Sequence, residues 1–110
     1  MSSKQTSLLQ GTLDLLILKA LGTGELHGLG ISRRIEQITH GTFLVKPGSL
    51  FPALHRMEEA GWIRAEWAVK DSGRRSRLYQ LTPAGKKQLA AEVSRWRTVS
   101  SAINRVLQEA

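Results

Sequence analysis

The sequence predicts a mainly α fold carrying one small β-hairpin, on three observations. Four segments place apolar residues at helical spacing, one stretch between them switches to strict alternation, and a Ser-Gly turn signal interrupts that alternation. The chain has 110 residues and no cysteine, the size of one small domain built without disulfides or thiolate metal ligands. A domain this short leaves much apolar surface uncovered, so marginal stability or oligomerisation is expected.

The first helix is expected over residues 12–21, where Leu13, Leu15, Leu16, Ile17 and Leu18 are apolar on nearly every side and "GTGEL" supplies the stop. Its longest apolar run is only "LLIL", with Asp14 and Lys19 interrupting. A membrane span needs about 20 mostly apolar residues, and a signal peptide needs a basic start and a small-residue cleavage site. A soluble cytoplasmic protein with no membrane contact is the expectation. The second helix opens at "HGLG". Ile31, Ile35 and Ile38 form its inward stripe, with Ser32, Arg33, Arg34, Glu36 and Gln37 outward, and "THGT" closes it. The apolar "FLV" that follows is expected to add one strand-like connection.

The third helix lies in "KPGSLFPALHRMEEAGWI". Leu50, Leu54 and Met57 make its buried stripe, beside Ala53 and Ala60. Pro52 has no N–H to donate and is expected in a first turn, so the helix starts near residues 47–49. Ser49, Pro52, His55, Arg56 and Glu59 are left outward. After Gly61 the period becomes two: "WIRAEWAV" and "SRLYQL" flank "DSGR", a hairpin whose loop projects Lys70, Arg74, Arg75 and Arg77. "LTPAGKKQL" then starts a last helix, with Thr82 as N-cap and Pro83 first in the helix. Along it Leu89, Val93, Trp96, Ser100, Ile103 and Leu107 are spaced 4, 3, 4, 3, 4, a seam suited to a second copy of the chain.

Charge points to the partner. The net charge is +7, and residues 62–110 carry ten basic and four acidic residues, against six and five in residues 1–61. The excess is densest at "KDSGRRSR", which suits a polyanion. Three helices, a basic hairpin and a trailing helix is the order of a winged helix-turn-helix. The major groove of duplex DNA, about 12 Å wide, admits one α-helix, and a hairpin wing can set arginines along the phosphates or in the minor groove. The chain divides accordingly into a winged helix-turn-helix DNA-binding domain, residues 1–82, and a C-terminal dimerisation helix, residues 83–110. His27, His40 and His55 are 13 and 15 residues apart with no cysteine or carboxylate cluster beside them, so no metal site is expected. No serine has a nucleophile context, and neither enzyme activity nor a cofactor is expected.

In this order, "LLQGTLDLLILKAL", "HGLGISRRIE", "GSLFPALHRMEEAGWI" and "GRRSRLYQLTPAGKKQL" resemble the PadR family of bacterial transcriptional regulators. The resemblance runs from about Leu8 into the last helix. "LTPAG" alone is shared by many winged-helix proteins, whereas the combination of "HG.GI", "GSL.PAL.R.E..GWI" and "GRR...Y.LT..G" is specific. The single short C-terminal helix is similar to the smaller subfamily, which implies a homodimer repressing nearby genes through an inverted repeat. Two positions depart from the pattern: Phe51 and Leu29 stand where tyrosine is common. Phe51 has no hydroxyl for the DNA backbone, so packing against sugar or the preceding helix is expected instead. In some relatives a tryptophan on the last helix stacks on flat aromatic effectors near the dimer axis. "SRWRTVSSAI" matches that location, which implies the same for Trp96, with Arg95 and Arg97 favouring an anionic effector.

The expected DNA-contacting set is therefore Lys46, Ser49, Phe51, Pro52, His55, Arg56, Lys70, Arg74, Arg75 and Arg77. The expected dimer interface is Leu89, Val93, Trp96, Ile103 and Leu107, with Trp96 also the effector residue. An exposed ion pair of Arg56 with Glu58 or Glu59 is the plain alternative for that arginine. The competing functional class is a winged-helix protein-interaction or RNA-binding module without sequence-specific DNA reading.

Overall fold

A computed structural model describes residues 3–69 and 71–109, with side chains from residue 11. Seven elements follow one another: α1 (Ser3–Leu21), β1 (Leu26–His27), α2 (Gly28–Ile38), α3 (Pro47–Glu59), β2 (Ile63–Val69), β3 (Arg75–Leu81) and α4 (Pro83–Glu109). The three strands form an antiparallel sheet in the order β1-β3-β2.

The apolar stripes read from the sequence meet in one core. Ile17, Leu18 and Leu21 of α1, Ile31 and Ile35 of α2, Leu50, Leu54 and Met57 of α3, and Ile63 and Tyr79 of the sheet are all buried. Burying each large aliphatic side chain contributes roughly 1.5–3 kcal/mol before chain entropy opposes it. Ile38 does not join them and is 65 % exposed, a correction to the expected α2 stripe. The helix ends there: Thr39 donates its hydroxyl to Ile35 O at 2.8 Å, and the chain turns away through His40 and Gly41, both at positive φ.

Three expectations about local structure are corrected. α1 begins nine residues before residue 12. The third strand comes from Leu26–His27, which pair with Tyr79 and Leu78, while residues 43–45 form no strand. Two residues are too few for any periodicity to announce them. Pro52 is the sixth residue of α3 and not part of its first turn. The carbonyl it would crowd belongs to Gly48, four residues back on the exposed start of the helix.

Thr82 joins hairpin to helix as expected of an N-cap. Its Oγ1 accepts from the Gly85 N–H at 3.0 Å and donates to Gly61 O at 2.6 Å. Its own N–H donates to Trp62 O at 3.0 Å. Gly85 is buried so tightly that a Cβ there would collide with the Trp62 carbonyl. The first two turns of α4 thus belong to the domain core, and the rest projects along a molecule 57 Å in its longest dimension.

Candidate nucleic-acid interface

Helix α3 presents a face of short side chains. Gly48, Ser49, Pro52, His55 and Glu59 are exposed along α3, at the spacing that keeps them on one side. Lys46, at the N-cap position, is exposed beside them. Phe51 lies at the edge, 43 % exposed. Its ring leans on the start of α2, where a Cβ on Gly28 would stand 2.9 Å from it. Glycine is what lets that ring approach, and the packing of Phe51 against the preceding helix follows.

Opposite this face stands the hairpin. A cleft of about 520 Å³ separates the two, lined by Phe51, His55 and Glu58 of α3, by Arg74, Arg75, Ser76, Arg77 and Tyr79 of the hairpin, and by His27, Gly28 and Leu29. A Ser76 Oγ–His27 Nδ1 hydrogen bond of 2.8 Å ties β3 to the head of α2. The cleft wall is basic at the hairpin end, where Arg74 and Arg75 are both exposed and neither enters any of the ion pairs found among the described residues. Lys70 lies outside the described residues.

Two of the expected arginines are held elsewhere. Arg56 donates to Asp14 of α1 through two bonds, Nη1 to Oδ2 at 2.8 Å and Nη2 to Oδ1 at 3.0 Å. That hydrogen bonding raises the guanidinium pKa above its ordinary value, against the opposing effect of burial. Arg77 donates from Nη2 to Glu58 Oε2 at 2.8 Å and lies 5.7 Å from the Tyr79 ring centroid. Each guanidinium is paired with a carboxylate of another element and stays partly exposed, Arg56 by 41 % and Arg77 by 37 %. The partner of Arg56 is neither Glu58 nor Glu59, because α1 packs closely enough to offer a better-placed acid. Glu59 instead stands 3.7 Å from His55.

The expected interface residues of α4 differ in exposure. Leu89 is half-buried against the core, 3.2 Å from a Cβ placed on Gly22. Val93 is half-buried beside Ala90, Arg97 and Ser101. The large exposed apolar side chains are Trp96, Val99, Ile103, Val106 and Leu107. Val99 and Val106 were missed because a strict 4, 3 count from Leu89 passes them by. Trp96 borders a groove of about 230 Å³ with Gly11, Thr12 and Leu15 of α1 and Glu92, Arg95 and Val99 of α4.

Residues 17–91 match the transcriptional regulator PadR-like family. The chain belongs to that family. It is 38 % identical over 76 residues to the transcriptional regulator Rv3488 of Mycobacterium tuberculosis, covering 69 % of this chain and 67 % of that one. A PadR-like transcriptional regulator from Bacillus cereus superposes with a TM-score of 0.79 at 29 % identity, over 93 % of this chain and 97 % of its own. Bacillus subtilis PadR, solved in complex with operator DNA, has the same fold at 24 % identity and a TM-score of 0.68, over 74 % of this chain and 46 % of that longer one. PadR-like proteins are transcriptional regulators and not enzymes. Among the described residues no helix is long and apolar enough to cross a membrane.

Proposed function

We propose that this PadR-like chain is a sequence-specific, double-stranded-DNA-binding homodimer that represses transcription from an inverted-repeat operator. The observation that carries the reading is the shared cleft, with His55 and Phe51 on one wall and Arg74 and Arg75 on the other. A helix of short exposed residues can approach a major-groove floor closely, while exposed arginines across a cleft of this kind suit the flanking phosphates. Bacillus subtilis PadR, a protein of the same fold, was solved in complex with operator DNA, which supports duplex DNA as the partner. Dimerisation through α4 is supported by its five exposed apolar side chains, since contiguous apolar patches of this kind mark interfaces. A two-fold dimer calls for half-sites about one helical turn apart.

Selection from a random duplex pool at near-physiological salt, with excess non-specific competitor, tests the reading. An enriched inverted repeat supports it. Binding that vanishes as salt rises, without enrichment, would favour a protein-interaction module, and preference for unpaired or A-form RNA would favour an RNA-binding one. Release by a flat aromatic effector stacked on Trp96 is the finer part of the proposal, supported by the groove beside that indole. With Trp62 and Trp67 replaced by phenylalanine, it predicts saturable quenching of Trp96 fluorescence.

A further inference from the structure

The hairpin carries one large aromatic that neither the core nor the reading face uses. Trp67 is 62 % exposed on the edge strand β2. The guanidinium carbon of Arg75 stands 4.7 Å from its ring centroid, at cation–π distance, and that of Arg77 stands 5.8 Å away. The strand register explains this. Trp67 is directly opposite Arg77, and Arg75 is opposite Val69, so Arg75 is the diagonal neighbour of Trp67 on the same sheet face. Arg77 is in turn fixed to α3 through Glu58. A connected series therefore runs from α3, through Glu58 and Arg77, to the indole and out to Arg75. Arg74 has no ring contact among the described residues and lies in the turn before β3.

We infer that Trp67 is a positioning residue: its indole holds the Arg75 guanidinium in a defined place relative to α3 before DNA arrives. A flexible arginine surrenders rotamer freedom when it grips a phosphate, and a stacked one has already done so. The wing's phosphate contact thereby depends on an aromatic that need not touch phosphate itself. This rests on the DNA-binding reading above and assigns within it a role to a residue outside the expected contact set.

The test is affinity against salt on one duplex for the wild type, R74A, R75A, W67A, W67F, W67A/R75A and W67A/R74A, with folding checked by circular dichroism. Trp67 is exposed enough for its replacement to leave the fold intact. R75A is expected to flatten the log–log salt slope by about 0.9, one phosphate's worth. W67A is expected to weaken binding roughly two- to five-fold, the strength of an exposed cation–π contact, with the slope little changed because Arg75 keeps its charge. W67F, which keeps an aromatic face, restores most of that loss. W67A/R75A should lose no more than R75A alone, while W67A/R74A should lose the product of its parts. Multiplying losses in W67A/R75A, or an unchanged affinity in W67A, overturn the inference while duplex binding by the wild type leaves the wider reading standing. A wild type that does not bind duplex overturns both together.

Discussion

Arg56 of α3 and Asp14 of α1 form a two-pronged ion pair, 2.8 and 3.0 Å, across 42 residues of sequence. Both bonds are charge-assisted and parallel, the geometry in which arginine and carboxylate fit best. Because Arg56 remains 41 % exposed, solvent screening limits the pair to about 1 kcal/mol or less. Its larger effect is on orientation, since it ties the rotation of α3 to α1. D14N and R56A are therefore expected to cost similar, small amounts of stability in urea, with the double variant losing no more than either. In the proposed complex, R56A should weaken all duplexes alike; relaxed preference at one base pair would instead make Arg56 a reader.

Gly85 predicts a sharper loss. A methyl group there meets the carbonyl of Trp62, a rigid backbone neighbour that cannot step aside. Gly85→Ala should cost about 1–3 kcal/mol, the usual penalty for overfilling a packed site, although alanine is the better helix former. Chemical denaturation checks it, and a neutral or stabilising result would show that the α4–hairpin junction is loosely packed.

Tyr79 is the chain's only tyrosine, so its ionisation can be followed by ultraviolet absorbance without interference from another. Burial raises its pKa above the ordinary value near 10; Arg77 pulls it down, and Glu58 pushes it up. The fold prefers the neutral phenol. Its contribution to stability is full below the unfolded-state pKa and is lost as pH rises through the folded one. The titration midpoint should lie above that of an unfolded tyrosine peptide, and R77Q should move it further up.

Ile103 sits in the middle of the exposed stripe of α4. Under the proposed homodimer, I103E is expected to give a folded monomer by sedimentation velocity where the wild type sediments as a dimer, and to abolish binding to a full inverted repeat. A dimer that survives the change would place the two-fold contact elsewhere.

Much of the fold was legible in the sequence because it rests on periodicity. Leu50, Leu54 and Met57 announce their helix, the alternation around Ile63 and Tyr79 announces the hairpin, and Thr82-Pro83 announces the last helix. What stayed hidden depends on neighbours distant in sequence. Nothing local says that Asp14 will face Arg56, or that Glu58 will face Arg77, and an arginine on an outward position reads the same whether its charge is free or paired. Leu89 fits a seam count equally well as core or interface, and the count says nothing of its packing beside Gly22 at the end of α1. Trp67 was read as one more alternating apolar residue; the register that sets arginines around it is a property of two strands and not of one.

Between the last residue of β3 and the first of α4 there is only Thr82, and every hydrogen-bonding arm of that residue is occupied: its N–H by Trp62, its hydroxyl by Gly61 and Gly85, its carbonyl by Lys86. The joint has no slack. A rotation of α4 there would break the bonds to Gly61 and Trp62, in the turn that joins α3 to β2, so the helix and the base of the hairpin are expected to move together. Lengthening the joint by a few glycines would uncouple the two motions, leaving each arm intact while silencing any message passed between them.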